Sequence, residues 1–561
     1  MNSKLTILAF LSLISVGSQA AETAFYTIEE VQSSSASVYG PWASGMAKDG
    51  TVVSLSSSND AFSYFNVAPT SVDLAHRFRY EFPCEYQMSS TVCGSFWDGG
   101  AARALQWRYD TLSYVPQLST TISGVTQGEV DGVVTKMGDS ATDFVGYQVA
   151  QAATNSTYHQ RTAFISLAGS LAMLNSTANA NGSFSSAYDL LKIGDNTLVA
   201  GTANTSITGP DNAFGRCYNG NSYSEGEYRD CPGFNTQAAF WLLTPGASQA
   251  QATLGTAYYK PDNNVLQTSS VMGLAQLGDE NIVAVGYSST GDLGDSVDSG
   301  RNVAVTWNVT VNDSSITVSD PVKIPLPQSA PGEADEVLRH TWAVAANSQG
   351  YVIGNQKFSS VKSRNTPVEM FIYNINSNVT TLPLADTPHS GANSEAAALN
   401  SHNLVVGWRD ERNESQPVYQ GSPRLQEAFL YNINTGNTWR LNDLICGTDG
   451  TSNQCQQNGY YYYIVNATAI NDAGVIAATA YRYASYDDWS KRNNPIVVSV
   501  RMAPSTSFET NYDVPASKVV TNGLPINDYG QSAGSGAVDW WVGLFLLPML
   551  LWRRRTMSQS A

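Results

Sequence analysis

The chain has 561 residues and a formal charge of -17, and only 14% of its residues are charged, against roughly 25% in an ordinary soluble domain. A hydrophobic content of 42% supplies a large core, which excludes a disordered chain. Long apolar runs occur only at the two ends, which excludes a membrane protein with many spans. Because the acidic balance repels phosphate, we expect no nucleic-acid partner.

The first 20 residues have the layout of a secretory signal peptide. Lys4 precedes an apolar run at 5–16, and the segment 18–20, Ser-Gln-Ala, is a small-x-small cleavage site. We expect signal peptidase to cut after Ala20, so that the exported chain begins near Ala21.

At the carboxy terminus, a linker rich in Gly and Ser (530–536) precedes an apolar segment and three arginines. As a helix, residues 537–552 reach ~24 Å, slightly short of the ~30 Å hydrocarbon core. We expect 537–555 to form a transmembrane helix with an arginine stop, so that the precursor is anchored in the inner membrane and faces the periplasm. A buried core helix is the alternative. The predicted anchors are Trp540, Trp541, Trp552, Arg553, Arg554 and Arg555.

The order of Gly-rich linker, apolar helix and basic cluster resembles the GlyGly-CTERM sorting tails of Gram-negative bacteria. In this chain Ser535 separates the two glycines, Gly534 and Gly536. The resemblance implies a second processing partner, an intramembrane rhomboid-type sorting protease that cuts near these glycines. After that cut, the protein is expected at the cell surface or outside the cell.

Six cysteines fall into three couples of near neighbours in sequence. An even number in an exported chain predicts disulfides, and pairing between neighbours is the simplest arrangement. Zinc binding is the alternative, but it needs closer CxxC spacing and usually histidine. The predicted disulfides are Cys84 with Cys93, Cys217 with Cys231, and Cys446 with Cys455.

A repeated pattern runs along the chain: an apolar residue, a tight polar turn, and an apolar strand that ends in a small residue. The clearest copies are 345–354, 398–407 and 469–476. Asn, Asp and Gly tolerate positive φ in the turn, and β-branched residues suit half-buried strands, so each copy predicts a β-hairpin. We call the small residues that end the second strand the anchors; they are Ser54, Gly146, Gly201, Gly286, Gly354, Gly407 and Ala478.

A second pattern of small residue, aromatic residue and apolar strand follows the hairpins. In its fullest copy, 427–441, a turn at 434–436 leads to one more strand, which makes four strands per unit. Such a unit, repeated about seven times, predicts an all-β chain folded as a β-propeller, because stacked sheets bury the faces that one sheet cannot. We expect seven blades, within a range of six to eight, over residues 21–529 with loop insertions. Tandem β-sandwiches are the alternative.

Two segments at the borders of this region carry partial motifs. The strand 24–28 matches the second pattern without a preceding hairpin, and we expect it to close the ring. The segment 526–530 resembles the first pattern. It is interpreted either as part of a composite eighth blade or as the start of the spacer to the tail.

The repeats resemble the HAF-type repeats of bacterial extracellular proteins, which read Ala, Leu or Ile, Asn, two variable residues, Gly, Val, Val and Gly, followed by Ala-Phe-Leu and an aromatic residue. The resemblance is clear over residues 339–482. Together with the signal peptide and the tail, it is similar to an uncharacterised family of Gram-negative envelope proteins that carry a domain of unknown function. Such a family implies a fold and a location, but no reaction.

The sequence has no HExxH, P-loop or GxGxxG motif. We interpret His340 and His402 as structural or solvated residues. Asp292, Asp295 and Asp298 lie three residues apart in a loop of Gly and Ser, and their oxygens suit Ca²⁺; a solvated acidic loop is the alternative. We expect no other cofactor.

Aromatic clusters indicate a binding role, because flat rings bind sugars and cover interfaces at small entropic cost. Tyr486 and Trp489 lie among charged residues and form the candidate ligand loop, whereas the tyrosines at 460–463 also suit a core. We therefore expect a non-enzymatic exported protein that binds a protein or a polysaccharide. The alternatives are a purely structural envelope protein and a propeller hydrolase or lyase with carboxylates at the central channel. Two or three carboxylates that converge with His or Arg at the channel mouth would favour the enzyme.

Overall fold

The regular structure of the described residues is almost entirely β-strand, which confirms the predicted all-β class. The helices among these residues are short: α1 (Leu441–Leu444), α2 (Tyr486–Lys491) and a 3-10 turn at Ala516–Lys518. The structure is a computed structural model, and it describes residues 24–31, 39–57, 112–116, 131–152, 155–176, 185–205, 236–255, 258–259, 267–278, 281–290, 301–312, 315–326, 338–358, 368–384, 393–410, 418–419, 422–423, 426–447, 455–505 and 514–520.

The strands are numbered in chain order. Those before residue 300 are β1 (Tyr26–Glu30), β2 (Tyr39–Met46), β3 (Val52–Ser57), β4 (Leu112–Pro116), β5 (Asp131–Met137), β6 (Phe144–Ala152), β7 (Asn155–Leu167), β8 (Ser170–Asn175), β9 (Ser185–Ile193), β10 (Asn196–Asn204), β11 (Thr236–Leu243), β12 (Gln249–Gln251), β13 (Thr253–Leu254), β14 (Ser269–Leu277) and β15 (Asn281–Thr290). Those after it are β16 (Arg301–Asn312), β17 (Ser315–Val318), β18 (Val322–Lys323), β19 (Leu338–Ala346), β20 (Tyr351–Phe358), β21 (Val368–Asn374), β22 (Val379–Thr381), β23 (Ser394–Leu399), β24 (Leu404–Asp410), β25 (Val418–Tyr419), β26 (Ser422–Pro423), β27 (Gln426–Asn432), β28 (Thr438–Arg440), β29 (Gln456–Gln457), β30 (Tyr460–Ile470), β31 (Ile476–Tyr483) and β32 (Ile496–Pro504).

Seven main sheets follow one another along the chain. Sheet 1 is β2-β3-β4, sheet 2 is β5-β6-β7-β8, sheet 3 is β9-β10-β11-β13, and sheet 4 is β14-β15-β16-β17. Sheet 5 is β19-β20-β21-β22, sheet 6 is β23-β24-β27-β28, and sheet 7 is β30-β31-β32-β1. The short strands β12, β18 and β29 extend sheets 2, 4 and 7, and β25 pairs with β26.

A β-bulge lies opposite every anchor. The first two strands of each sheet form the predicted hairpin, and the register shifts beside the anchor: Gly407 pairs with Ala396, whereas the next pair is Val406 with Ala398. The same shift occurs beside the partner of each of the seven anchors. The anchors recognised in the sequence therefore occupy one equivalent position in seven sheets.

The bulge explains why most anchors are glycine. A Cβ atom on Gly407 would lie 2.0 Å from the carbonyl oxygen of Glu395, and one on Gly201 would lie 1.9 Å from that of Ser186. Backbone approaches as close as these leave no space for a side chain. Ser54 and Ala478 hold the same position in sheets 1 and 7 and are fully buried, and the Ser54 hydroxyl donates to the Ser499 hydroxyl at 2.7 Å.

The hydrophobic core is divided among the interfaces between sheets. Seven clusters of buried apolar side chains each join two sheets that follow one another in the chain order, with sheet 7 followed by sheet 1. At the last interface, Ala43 and Val52 of sheet 1 pack against Ala477 of sheet 7. Strand β2 contacts β30, β31 and β32 in the same way that the first strand of every other sheet contacts the sheet before it. The order of sheet contacts is therefore cyclic.

The amino-terminal strand completes the last sheet, as predicted. Strand β1 pairs antiparallel with β32 from Tyr26 with Pro504 to Glu30 with Val500. Its buried side chains Tyr26 and Ile28 join the cluster between sheets 6 and 7, and the Tyr26 hydroxyl donates to the carbonyl of Gly474 at 3.1 Å. The first and the last of the described strands thus meet in one sheet.

A carboxy-terminal segment, 514–520, crosses back to sheet 6. The Val520 amide donates to the Thr438 carbonyl at 2.8 Å, and the Trp439 indole donates to the Pro515 carbonyl at 3.0 Å. Lys518 donates to two carbonyls, those of Asp443 and Cys446. This segment follows the last strand of sheet 7 in the chain and packs against β28, the outer strand of sheet 6.

A ladder of asparagines links the hairpin turns of sheets 5, 6, 7 and 1. The amide of Asn347 donates to the carbonyl of Asn400 at 3.0 Å, that of Asn400 to Asn471 at 3.1 Å, and that of Asn471 to Lys48 at 2.9 Å. Each of these amide oxygens also accepts from backbone N–H groups of its own turn, such as Leu404 for Asn400. The Asn of the repeat therefore has a structural role: its side-chain oxygen stabilises its own turn, and its amide donates to the turn of the next sheet.

Replacing Asn400 by alanine is expected to lower the free energy of unfolding by about 2–4 kcal/mol, because three hydrogen bonds of a buried amide are lost. Urea denaturation measures this change. Ser401→Ala in the same turn is the control, since only the backbone of Ser401 takes part in these contacts. Equal stabilities of the two variants would contradict a role for the ladder.

The two ends of the sheets differ in their connections. At one end, the turn end, the first two strands of each sheet are joined by short turns, of which 138–143 is the longest. At the other, the loop end, the second and third strands are joined by segments such as 58–111, 205–235 and 411–425, and the chain passes from sheet to sheet. Within the described residues, no helix combines the length and apolar character needed to cross a membrane.

Candidate functional site

Most residues predicted to have special roles lie outside the described part of the chain. The described ones are Cys446 and Cys455, which form the predicted disulfide, and the ligand-loop residues Tyr486 and Trp489. Those outside it are Cys84, Cys93, Cys217 and Cys231, the calcium candidates Asp292, Asp295 and Asp298, the processing residues Ala20, Ala21, Gly534 and Gly536, and the tail residues Trp540, Trp541, Trp552, Arg553, Arg554 and Arg555.

Helix α2, which carries the candidate ligand loop, joins β31 to β32 at the loop end. Ser485 caps it, since the Asp488 amide donates to the Ser485 hydroxyl at 3.1 Å, and Arg492 ends it in the left-handed conformation. An exposed ion pair joins Lys491 to Asp487 at 2.7 Å. These local contacts define a helix of less than two turns that does not need a buried face of its own.

Three aromatic rings pack together in tilted and edge-on arrangements where α2 meets the start of β30. Their centroids are 5.7–6.0 Å apart for each pair of Tyr461, Tyr486 and Trp489. Tyr486 is exposed, whereas Trp489 is partly buried and donates its indole N–H to the Tyr462 carbonyl at 3.1 Å. We call Tyr461, Tyr486 and Trp489 the aromatic patch. The neighbouring Tyr460 is exposed and lies beneath the Arg482 guanidinium at 4.6 Å.

The disulfide lies beside the aromatic patch. Cys455 packs against the cluster of Tyr461, Tyr463 and Tyr483, and Cys446 follows α1 in the connection from sheet 6 to sheet 7. A short covalent loop restricts the unfolded chain and here holds the start of β30. The disulfide therefore cross-links the segment that packs directly against the aromatic patch.

A second group of side chains at the loop end is charged and mostly buried. We call it the charged cluster; its members come from the ends of strands in sheets 5 and 6 and are Lys357, Glu395, Arg409, Asp410, Glu427 and Arg440. Four of them, Lys357, Arg409, Asp410 and Glu427, are buried. Buried charges are stable only when they are paired or hydrogen-bonded, so such a concentration marks an unusual place in the fold.

Glu427 lies between two guanidinium groups. Arg440 approaches one carboxylate oxygen at 2.8 Å, and Arg409 approaches the other at 3.6 Å. The nearby Asp410 accepts from both the backbone and the side-chain amide of Asn393, each at 2.9 Å. These contacts hold the carboxylates of Asp410 and Glu427 in fixed positions at the loop end of sheet 6.

Glu395 is the member of the charged cluster whose proton affinity changes most clearly. Burial of its carboxyl raises its pKa from 4.5 to about 7; the Lys357 charge and a hydrogen bond from Trp408 oppose that rise, while the Asp410 charge adds to it. A carboxyl with this pKa exchanges its proton near neutral pH. Of the two neighbouring carboxylates, Glu395 is thus suited to donate a proton, and Asp410 is held in place by Asn393.

The stability of the protein is expected to fall as pH rises from 4.5 to 7, because the folded state holds the Glu395 proton that the unfolded chain releases. Glu395→Gln removes this term. The variant should match the natural protein at pH 4 and exceed its free energy of unfolding at pH 8 by up to about 3 kcal/mol in urea denaturation. Glu29→Gln, at an exposed carboxylate of β1, is the control. The same difference at both pH values would contradict the assignment.

Sequence reasoning missed the charged cluster because its members are distant in sequence. A local signal was present: Trp408, Arg409 and Asp410 follow the anchor Gly407 directly, where the strand leaves its apolar core. Glu427 likewise precedes the buried pair Ala428 and Phe429. Within the described residues, no three His, Cys, Asp or Glu side chains come together to hold a metal ion.

The cyclic set of mostly four-stranded sheets defines an all-β repeat protein. The chain belongs to the family described as Protein of unknown function (DUF3466), whose model matches residues 2–555. No curated protein sequence matches the chain significantly.

Several solved structures are similar over much of the chain, all with low TM-scores. A levansucrase mutant of B. megaterium has 12% identity and a TM-score of 0.28, covering 62% of this chain and 84% of its own. A puromycin hydrolase mutant has 9% identity and a TM-score of 0.35, covering 86% and 57%. The GH32 beta-fructofuranosidase of Bombyx mori has 9% identity and a TM-score of 0.26, covering 65% and 77%.

Proposed function

We propose that this protein is an exported, seven-bladed β-propeller that binds a protein or polysaccharide partner through the loop end of its ring. The fold part of the proposal rests on seven sheets in cyclic contact, with a core at each interface. The pairing of β1 with β32 matches the ring closure that a propeller needs, since it joins the first and last described strands in one blade. Tandem sandwiches do not require a contact between sheets 7 and 1.

The single observation that carries the binding function is the asymmetry between the two ends of the sheets. The turn end is closed by short turns and, across four sheets, by the asparagine ladder. The loop end receives the long insertions, together with the aromatic patch and the charged cluster. Proteins concentrate binding residues on loops that a rigid scaffold holds in place.

Export is supported by the sequence of the two ends and by the disulfide Cys446–Cys455, which suits an oxidising compartment. We propose that signal peptidase removes residues 1–20 and that the tail 537–555 anchors the precursor in the inner membrane, facing the periplasm. A rhomboid-type protease then cuts near Gly534 and Gly536 and releases the protein to the cell surface or the medium. Calcium at Asp292, Asp295 and Asp298 is a further proposal, which a rise in melting temperature on adding Ca²⁺ would test.

Fractionation of the cell envelope, combined with glycan arrays and pull-downs of the exported form, tests the proposal. We expect the protein outside the cytoplasm and a ligand in at least one of the two assays. A cytoplasmic location would contradict export, and empty results in both assays would favour a purely structural envelope protein. Mass spectrometry of the exported form tests the tail, because an intact Trp552 excludes a cut near Gly536.

A hydrolase or lyase is the second candidate, and the charged cluster is the observation that favours it. Glu395 exchanges a proton near neutral pH, and Asp410 lies close enough to raise the Glu395 pKa. Paired carboxyl groups of unequal pKa are typical of acid–base catalysis on polysaccharides. Release of reducing sugars or unsaturated products from a polysaccharide panel, lost in Glu395→Gln, would establish the enzyme; no release would leave the binding function.

A further inference from the structure

We propose that the aromatic patch is a binding site for a neutral polysaccharide, with one pyranose ring stacked on Tyr486 and Trp489. The inference rests on the proposed binding function and gives it a ligand class and a location. Among the described residues, five large hydrophobic side chains are exposed, and Tyr486 is one of them. The patch therefore presents aromatic surface at the end of the ring that carries the insertions.

The rings of the aromatic patch are held in place before any ligand arrives. Trp489 is fixed by its hydrogen bond to the Tyr462 carbonyl and by its contact with the buried Tyr461. Tyr486 packs on both rings at 5.7–5.8 Å. The helix below is capped by Ser485, and the disulfide cluster lies against Tyr461. Because these side chains are already fixed, binding of a ligand costs little conformational entropy. Even a small contact area can then give a measurable affinity.

The chemistry of the patch suits a sugar. A pyranose offers a face of C–H groups to an aromatic ring and a rim of hydroxyl groups to polar neighbours. Around Tyr486, the exposed ion pair of Asp487 and Lys491 supplies acceptors and donors for such hydroxyls, and Arg492 lies over the ring of Tyr463 at 5.0 Å. The side chains around the exposed rings therefore match both surfaces of a sugar.

The size of the patch argues against a protein partner at this place. A stable protein interface buries about 800 Å² on each side. Tyr486 and Trp489 together offer at most about 500 Å², since one aromatic side chain buries about 150–250 Å². A sugar ring needs only a few rings of this kind, so the area fits a polysaccharide and not a folded protein.

The charge of the chain selects among polysaccharides. With a formal charge of -17 the protein repels anionic polymers. At the patch, Asp487 and Asp488 of α2 are matched by Lys491 and Arg492, so the segment has no excess positive charge to attract an anionic sugar. Uronic acids and sulfated sugars are therefore disfavoured, and a neutral hexose polymer is expected.

Affinity electrophoresis tests the site with the exported protein run through gels that contain laminarin, yeast mannan or alginate. We expect at least one neutral polymer to retard the natural protein, and alginate to have no effect. Tyr486→Ala should weaken the apparent Kd about 10-fold or more, whereas Tyr486→Phe, which keeps the ring, should stay within about 3-fold. Val322→Ala, at an exposed side chain of sheet 4, is the control and should bind as the natural protein does.

The outcomes separate this inference from the function on which it rests. If a neutral polymer binds and Tyr486→Ala binds equally well, the site is wrong and the binding function stands. If no neutral polymer binds but a pull-down returns a protein whose capture Tyr486→Ala abolishes, the ligand class is wrong. If the natural protein binds neither a polymer nor a protein, the proposed function itself is wrong. Near-UV circular dichroism of each variant confirms an unchanged fold.

Discussion

Replacing Gly407 by alanine is expected to lower the free energy of unfolding by about 3 kcal/mol or more, a large effect for one added methyl group. The new Cβ would lie 2.0 Å from the Glu395 carbonyl oxygen and 3.1 Å from the Cα of Ala396. Both neighbours are backbone atoms of β23, fixed by the bulge, so no flexible side chain can move aside. Urea denaturation of the variant measures the loss.

Gly255→Ala is the matched control for this prediction. Gly255 is also buried, but a Cβ there would meet the Cβ of Ala238 at 3.4 Å, an ordinary contact. Its effect is expected to stay within about 1 kcal/mol. If Gly407→Ala were as stable as Gly255→Ala, the backbone at the bulge would be able to shift at little cost. The recurrence of glycine at the anchors would then need a different explanation.

Placing a carboxylate on the buried side of β1, by Ile28→Asp, is expected to cost about 4 kcal/mol or more and to open the cycle of sheets. Ile28 is 3% exposed and belongs to the cluster between sheets 6 and 7. A charge has no partner in that apolar cluster. Among the described strands, β1 pairs only with β32, so no second neighbouring strand would keep it in the sheet. Thermal denaturation should show the loss, and limited proteolysis should cut near the amino terminus sooner.

Thr27→Asp provides the comparison on the same strand. Thr27 is exposed and pairs with Ala503, so its side chain points away from the core that Ile28 enters. The substitution should change stability by less than about 1 kcal/mol. If the two variants were equally destabilised, or equally harmless, the closure of the ring by β1 would be wrong.

The repeats made the hairpins and the role of β1 predictable from sequence, because both depend on local pattern. Apolar alternation, turn residues and a small residue at a fixed offset mark each first hairpin, and they remain recognisable in the weak copies that end at Ser54 and Gly201. The Asn of the motif was recognised as a turn residue. Its second role, as a donor from Asn400 to Asn471 in the next sheet, depends on the distance between sheets, which no local pattern contains.

The candidate site was predictable only in part. Tyr486 and Trp489 were found because aromatic residues within a charged segment are unusual in a loop, although the structure buries much of Trp489. The charged cluster was not found, since Lys357, Glu395 and Glu427 come from three strands in two sheets. A charge at a strand end usually meets solvent, and only the packing of sheet 5 on sheet 6 makes these charges buried.

The union of β1 with β32 has a consequence for the order in which the molecule forms. Thr27 and Ala503, which are hydrogen-bonded, are 476 positions apart. In a chain made from its amino terminus, β1 appears first and keeps an unpaired edge until β32 has followed. Contacts this distant form slowly, and an unpaired strand is exposed to wrong pairing. Pairing of β1 with β32 is therefore expected among the last contacts of folding, and a chaperone is most useful to the chain before that pairing forms.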